Sequence, residues 1–148
     1  MLMARYRSIL ALVLAFVTAF LVSCGSPAKA PTTYTAAQIE QIQLYASGIS
    51  QMQDRLPELA KLIQEENWTF IRNFIRGPLG ELRFKMSAIE RSLLPNAQAQ
   101  AKEAAKEVAE SLQLVDEAAQ EQDYQAAIRN YAALQRSLNN FLALAPKA

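Results

Sequence analysis

Apolar residues recur every three or four positions from residue 39 onwards, which is the spacing that places them on one face of an α-helix. They form four rows, which span Ile39–Ile63, Trp68–Leu93, Ala101–Ala119 and Tyr124–Phe141. The sequence contains no alternating run of β-branched residues and no Asn-Gly or Asp-Gly turn that would favour a hairpin. The pattern therefore predicts an all-α protein, a four-helix bundle with up-down-up-down topology over residues 35–148.

Polar residues at the helix starts refine the boundaries of these rows. Thr35 and Gln38 have the spacing of a capping box, in which each side chain bonds the backbone of the other residue. Asn67, Asn96 and Asp123 precede the second, third and fourth rows. Since short polar side chains accept hydrogen bonds from the free N–H groups of a first turn, each is predicted to cap its helix.

Two prolines interrupt the first and second rows. Pro57 is predicted to kink or briefly break the first helix, because proline lacks a backbone donor and crowds the preceding turn. Gly77-Pro78 interrupts the second row, which nevertheless continues in phase, and this favours one kinked helix. In the fourth helix the residues expected to face inward are Tyr124, Ile128, Tyr131, Leu134, Leu138 and Phe141.

The N-terminal region has the pattern of a secretory signal peptide. Arg5 and Arg7 precede an uncharged apolar run at 9–22. As a helix, these residues would span only about 21 Å, whereas a bilayer core needs about 30 Å. We therefore expect a cleaved signal rather than a permanent membrane span.

Leu21-Val22-Ser23-Cys24 resembles the lipobox of bacterial lipoproteins. This motif predicts that residues 1–23 are removed and that Cys24 becomes the lipidated first residue. Residues 24–34, which are small and include two prolines, are then expected to form a flexible tether. The alternative is an ordinary signal with an incidental cysteine.

The composition argues against catalysis and against a bound cofactor. The chain has no histidine, one cysteine and four glycines. It therefore lacks the commonest general base and metal ligand, an internal disulfide and a glycine-rich phosphate loop. Without Arg5 and Arg7, 13 of the 15 basic residues remain against 14 acidic ones, a net charge of −1. This balance gives no reason to expect a nucleic-acid partner.

Charge is distributed unevenly along the mature chain. Residues 72–91 carry a net +3, whereas residues 103–123 carry a net −6. Tryptophan and arginine are enriched at protein interfaces, so a candidate docking surface follows from the second helix. It comprises Trp68, Arg72, Arg76, Arg83, Lys85 and Arg91. The alternatives are a solvated face for the basic residues and a core or end-of-bundle position for the tryptophan.

A row of carboxylates on the third helix leaves a second question open. Glu103, Glu107 and Glu110 fall on one helical face. They could bind a surface cation, or they could form a solvated face that is partly neutralised by Lys106. The sequence alone does not decide between these interpretations.

Several motifs together resemble the PsbQ family in its cyanobacterial lipoprotein form. The most specific is Asn67-Trp68 followed by Gly77-Pro78-Leu79-Gly80-Glu81-Leu82-Arg83. The lipobox, Pro-Thr-Thr-Tyr at 31–34, Ser-Leu-Leu-Pro at 92–95 and Phe-Leu-Ala-Leu-Ala-Pro at 141–146 occur in the matching order.

This resemblance implies a non-catalytic extrinsic protein on the lumenal side of the thylakoid membrane. Its expected partners are lumenal subunits of photosystem II, with a lipid anchor in the membrane. It would support the oxygen-evolving complex without supplying ligands to the metal cluster. The alternative from the residues alone is a generic envelope lipoprotein that acts as a helical scaffold or chaperone.

Overall fold

The computed structural model describes residues 32–147, which contain six α-helices and no strand. The helices are α1 (Ala36–Gln53), α2 (Leu56–Gln64), α3 (Trp68–Arg76), α4 (Leu82–Ser92), α5 (Pro95–Glu121) and α6 (Tyr124–Leu142). The predicted signal peptide, Cys24 and most of the predicted tether lie outside the described residues. Within residues 32–147, no helix is both long enough and apolar enough to cross a membrane.

The six helices form four rods, so the predicted bundle is confirmed. The first rod is α1 with α2, the second is α3 with α4, and α5 and α6 are the third and fourth. The first and third rods each pack against the second and fourth. Because every connection is short, neighbouring rods run antiparallel, in up-down-up-down order.

The two ends of the bundle carry different connections. At one end, the Tyr34 hydroxyl accepts a hydrogen bond from the backbone N–H of Leu94, at 3.3 Å. At the same end the Gln43 side chain donates to the backbone carbonyl of Pro146. We call this the Tyr34 end. The α2–α3 and α5–α6 connections lie at the opposite end, called here the Trp68 end.

All four rods contribute large apolar side chains to one core. Its fully buried members include Ile42, Ile49, Leu59, Ile71, Leu82, Ile89, Leu134, Leu138 and Phe141. Small residues on α5 and α6 let these two helices approach closely. Ser111 and Ser137 are buried there, and the Ser137 hydroxyl donates to the backbone carbonyl of Leu134 at 3.0 Å.

Two of the four predicted caps are confirmed. The Gln38 N–H donates to Thr35 Oγ1 at 3.2 Å, and the Thr35 N–H donates to Gln38 Oε1 at 2.9 Å. Asp123 Oδ1 accepts from the N–H of Ala126 at 2.9 Å. Asn67 occupies the cap position of α3, but its side chain makes no capping hydrogen bond.

The predicted cap at Asn96 is wrong, because α5 begins at Pro95, two residues before the start that a cap at Asn96 implies. Proline suits the first helical position, since its missing N–H would have no partner there and its φ angle is already helical. Leu94 therefore occupies the cap position and Asn96 lies within the first turn.

Both proline interruptions appear, and one is larger than predicted. The break at Pro57 is confirmed: α1 ends at Gln53, and Pro57 lies in the first turn of α2. At Gly77-Pro78 the prediction of a single kinked helix is wrong. Here α3 ends at Arg76 and α4 begins at Leu82, with a five-residue turn at 77–81. Leu79 within this turn remains buried, so the apolar row does continue in phase.

The inward face of the fourth helix also differs from the prediction at one position. Ala127 is fully buried, whereas Ile128 is 39% exposed. Side chains of adjacent residues point about 100° apart on a helix, and here the smaller one, Ala127, packs in the core. Ile128 is thereby left at the edge of α6 that faces α2.

The turn at 77–81 gives a prediction about stability. A Cβ atom on Gly80 would lie 2.5 Å from the backbone carbonyl oxygen of Arg76. We expect Gly80→Ala to lower the free energy of unfolding by about 1–3 kcal/mol, as overpacked sites do. Thermal unfolding followed by circular dichroism measures this loss.

Gly48→Ala is the matched control. A Cβ atom there would meet only the flexible Lys85 side chain, at 3.1 Å, and alanine favours the helix. We expect an unchanged or higher Tm for this variant. Equal midpoints for Gly80→Ala and the parent would contradict the assigned clash.

Candidate functional site

A groove between the second rod and α5 collects most of the predicted docking residues. It consists of two cavities, of about 290 Å³ and about 210 Å³, which share Arg76 and therefore adjoin. The larger has an apolar floor that includes Leu79 and Leu112, with Arg83 on its rim. The smaller is polar and lies at the Trp68 end. We define the basic groove by Trp68, Arg72, Arg76 and Arg83.

Asp116 on α5 binds two of the groove arginines. Arg72 Nε lies 3.3 Å from Asp116 Oδ1, and Arg76 Nη2 lies 3.2 Å from Asp116 Oδ2. The Asp116 side chain is only 25% exposed, so both pairs are partly shielded from water. One carboxylate neutralises one of the two guanidinium groups, and a net positive charge remains.

Arg83 adds a second positive charge to the groove. It is exposed, and it forms no ion pair with any residue among 32–147. It lines the larger cavity together with the apolar residues Leu79 and Leu112. Such a site can bind a carboxylate together with an adjacent apolar group, because arginine offers paired donors in a planar fork.

Trp68 has features of both positions that the sequence left open, a docking surface and the end of the bundle core. Its ring packs partly against the core, and it also lines the polar cavity beside Arg72. The helix α3 begins at this residue, so the ring sits on the first turn of a rigid element. Trp68 is therefore an end-of-bundle anchor that still presents a surface to the groove.

The other two predicted docking residues lie elsewhere on α4. Lys85 is directed towards the first rod, where it lies against Gly48 and pairs with Glu81 at 3.3 Å. Arg91 is near the end of α4, where Nη1 donates to Ser87 Oγ at 2.7 Å. The structure thus brings together four of the six candidates and separates Lys85 from them.

The carboxylate row on α5 is partly neutralised by a lysine side chain of the same helix. Lys106 Nζ lies 3.6 Å from both Glu103 Oε1 and Glu110 Oε1. These negative charges raise the pKa of Lys106, so they stabilise its protonated form. Glu107 lies on the same exposed face. This arrangement favours the solvated face, and no group of acidic side chains among residues 32–147 has a geometry suited to a metal ion.

Asp116 is the residue of this site that the sequence analysis missed. In the sequence, the basic segment 72–91 and the acidic segment 103–123 are separate features of the chain. Their contact depends on the second rod packing against α5, across 40 and 44 positions of sequence. The opposite charges of 72–91 and 103–123 were the available signal.

Comparison with known proteins decides the family. The model of the PsbQ family, described as oxygen evolving enhancer protein 3, matches residues 4–146. The chain belongs to the PsbQ family. It is also 40% identical over 148 residues to CyanoQ from Synechocystis sp. (strain ATCC 27184 / PCC 6803 / Kazusa), with 99% of each chain covered. The family resemblance predicted from the motifs is confirmed, and as a PsbQ protein the chain is not an enzyme.

The ion pairs of this PsbQ protein predict a salt-dependent loss of stability. Replacing Asp116 with Asn leaves Arg72 and Arg76 adjacent without their shared counter-charge. Since these side chains are partly exposed, we expect Asp116→Asn to lower the free energy of unfolding by about 0.2–1 kcal/mol. Chemical denaturation at low salt measures the change.

Glu117→Gln serves as the control, because Glu117 is exposed and contacts only Gln113 of its own helix, among the hydrogen bonds of the described residues. We expect no resolvable change for it. The Asp116→Asn loss should shrink at 1 M salt, where screening acts within about 3 Å. A loss that is equal in the two variants, or insensitive to salt, would contradict the assigned role of Asp116.

Proposed function

We propose that this protein is a non-catalytic extrinsic subunit that binds the lumenal face of photosystem II and supports assembly and stability of the oxygen-evolving complex. The observation that carries the proposal is the PsbQ family match over residues 4–146. The relation to CyanoQ over 99% of the chain supports the same association on the lumenal side of the thylakoid membrane.

A rigid helical body suits a protein that acts by contact. Whatever binds only the assembled state of a complex stabilises that state, by an amount set by its affinity and concentration. The basic groove supplies a surface for such binding. Its guanidinium groups project from α3 and α4, whose positions are fixed by buried residues such as Ile71 and Leu82.

The charge of the groove defines the partner segment it fits. Arg72, Arg76 and Arg83 outnumber Asp116, so an acidic segment of a lumenal subunit is the complementary partner. The apolar floor beside Arg83 can receive an aliphatic side chain next to the acidic group. Trp68 adds a large, partly buried ring at the far limit of the same surface.

The lipid anchor proposed at Cys24 would confine this surface to the membrane. Tyr34 lies ten positions after Cys24 and is held at the α4–α5 connection, so residues 25–34 form the tether. In extended form these residues reach about 30 Å, at about 3.1 Å per residue. Restricting the bundle to this distance raises its effective concentration near a membrane-embedded target.

Reversing a charge in the groove should weaken binding. We expect Arg83→Glu to reduce affinity for photosystem II particles depleted of this protein by about tenfold, which corresponds to ~1.4 kcal/mol. Much of the loss should appear in the association rate and in its salt dependence, because Arg83 lies on the rim. Surface plasmon resonance at two salt concentrations measures both.

Arg136→Glu makes the same charge change on α6, in a different cavity, between α5 and α6. We expect it to bind within about twofold of the parent protein. Equal binding by the Arg83→Glu and Arg136→Glu variants would show that the basic groove is an ordinary solvated face and not a docking surface. Recovery of an unrelated envelope complex by the tagged parent protein would instead favour the generic scaffold.

The lipobox gives a prediction about membrane attachment. Labelled palmitate should enter the parent protein and be lost in Cys24→Ser, because the thiol is the acceptor of the lipid. The unlipidated protein should also leave the membrane fraction. Ser26→Ala, two residues beyond the motif, should retain both the label and the membrane association. Label persisting in Cys24→Ser would contradict the assignment.

A further inference from the structure

A separate cavity of distinct character lies between α2 and α6, near the Trp68 end. Its volume is about 220 Å³. It is lined by Ala60, Ile63, Gln64, Tyr124, Ile128 and Tyr131. We call it the apolar slot. It is formed by the first and fourth rods, so it is separate from the basic groove.

Hydrogen bonds hold one wall of the slot in place. The Tyr131 hydroxyl donates to the backbone carbonyl of Leu56 at 3.2 Å, and it accepts from Gln135 Nε2 at 3.1 Å. Burial raises the pKa of the Tyr131 phenol, which favours the protonated form that donates this hydrogen bond. The ring is thereby fixed across the α2–α6 contact, and the slot is preformed.

The exposed Ile128 side chain suggests that the slot receives an apolar group. Ile128 is 39% exposed, although its position in the helical row predicts burial. It lies at the mouth of a cavity whose base includes the buried Ile63. Apolar cavities of about 150 Å³ accommodate an aromatic ring, so the slot has room for one large side chain.

Acidic residues dominate the end of the bundle beside the slot. Glu65 and Glu66 lie in the α2–α3 connection, whereas Glu121 and Asp123 flank the α5–α6 connection. The nearby basic residues are Lys61, which lies 3.7 Å from Glu65, and Arg129, which follows Ile128 on α6. Arg72 and Arg76 also line a cavity at this end, on the side of α3 and α5, where both pair with Asp116. Five acidic residues against four basic ones leave this end with a small net negative charge, and the acidic excess lies in the two connections beside the slot.

This charge distinguishes among the occupants that an apolar slot could take. Anionic lipid headgroups and acidic peptides are repelled by the negative end. A basic segment is attracted to it, and an anchor side chain within that segment can fill the slot. The sign is opposite to that of the basic groove, so the two surfaces select different segments.

We propose that the apolar slot binds one aliphatic or aromatic side chain of a partner-protein segment that also carries lysine or arginine. The inference rests on the proposed function, because it adds a second contact with the same complex. Engagement of two surfaces multiplies affinity through effective concentration without requiring either contact to be strong.

Two substitutions test the slot from opposite directions. Ala60→Phe fills it from the α2 wall, and Ile128→Ser removes the apolar group at its mouth. We expect each to weaken binding to depleted photosystem II particles by about fivefold to tenfold, as interface anchors do. Circular dichroism confirms that helicity is retained. Ile128→Ser keeps the test valid even if the bulkier Ala60→Phe disturbs folding.

Leu114→Ser is the matched control, since Leu114 is an exposed apolar residue (45%) on α5, outside the slot. We expect it to bind like the parent protein. If Arg83→Glu weakens binding while Ile128→Ser and Leu114→Ser do not, the slot inference is overturned and the proposed function stands. If the parent protein does not bind the particles, the proposed function fails. A peptide titration then tests separately whether the slot binds an apolar side chain within a basic segment.

The titration uses two short peptides, Lys-Lys-Phe-Lys-Lys and Lys-Lys-Ala-Lys-Lys, and follows the methyl resonances of Ile128 and Ile63 by NMR. The phenylalanine peptide should shift them in the parent protein and not in Ala60→Phe, whereas the alanine peptide should leave them in place. Equal effects of the two peptides would overturn the proposal. So would the same shifts produced by phosphatidylglycerol vesicles, or an Ile128-dependent dimer in analytical ultracentrifugation.

Discussion

The structure depends on an apolar seam that stays continuous although two of its four rods are interrupted. The first rod breaks before Pro57 and the second turns at 77–81, yet Leu56, Leu79 and Leu82 remain buried at or beside these breaks. Burying one such side chain contributes about 1.5–3 kcal/mol. The buried contacts therefore preserve the phase of each rod where backbone hydrogen bonding is broken.

The turn at 77–81 also sets the geometry of the basic groove. Arg76 ends α3 and Arg83 lies in the first turn of α4, so the turn determines the distance between their guanidinium groups. Gly80 allows the backbone to pass close to Arg76, where a side chain would collide with the carbonyl oxygen. The most specific family motif thus has a physical reason: it shapes both the core and the surface above it.

Some charged side chains pair with one another within the bundle, and the remaining charges are available to partners. Asp116 neutralises one positive charge of the groove, and Lys106 lies between two carboxylates of α5. Exposed pairs of this kind contribute little to stability, so their main consequence is the residual charge they leave. The groove between the second rod and α5 remains positive, whereas the connections beside the apolar slot are acidic, which gives a small bundle two surfaces of different specificity.

The sequence by itself determined the all-α class, the four-rod topology, the caps at Thr35 and Asp123, and the family. Helical periodicity and capping are local, so they can be read from residues three or four positions apart. Tertiary structure decided the start of α5 at Pro95, the turn in place of a kink, the exposure of Ile128, and the pairing of Arg72 and Arg76 with Asp116. These features depend on which rods meet and at what rotation, and rotations of a few tens of degrees exchange neighbouring side chains between core and surface.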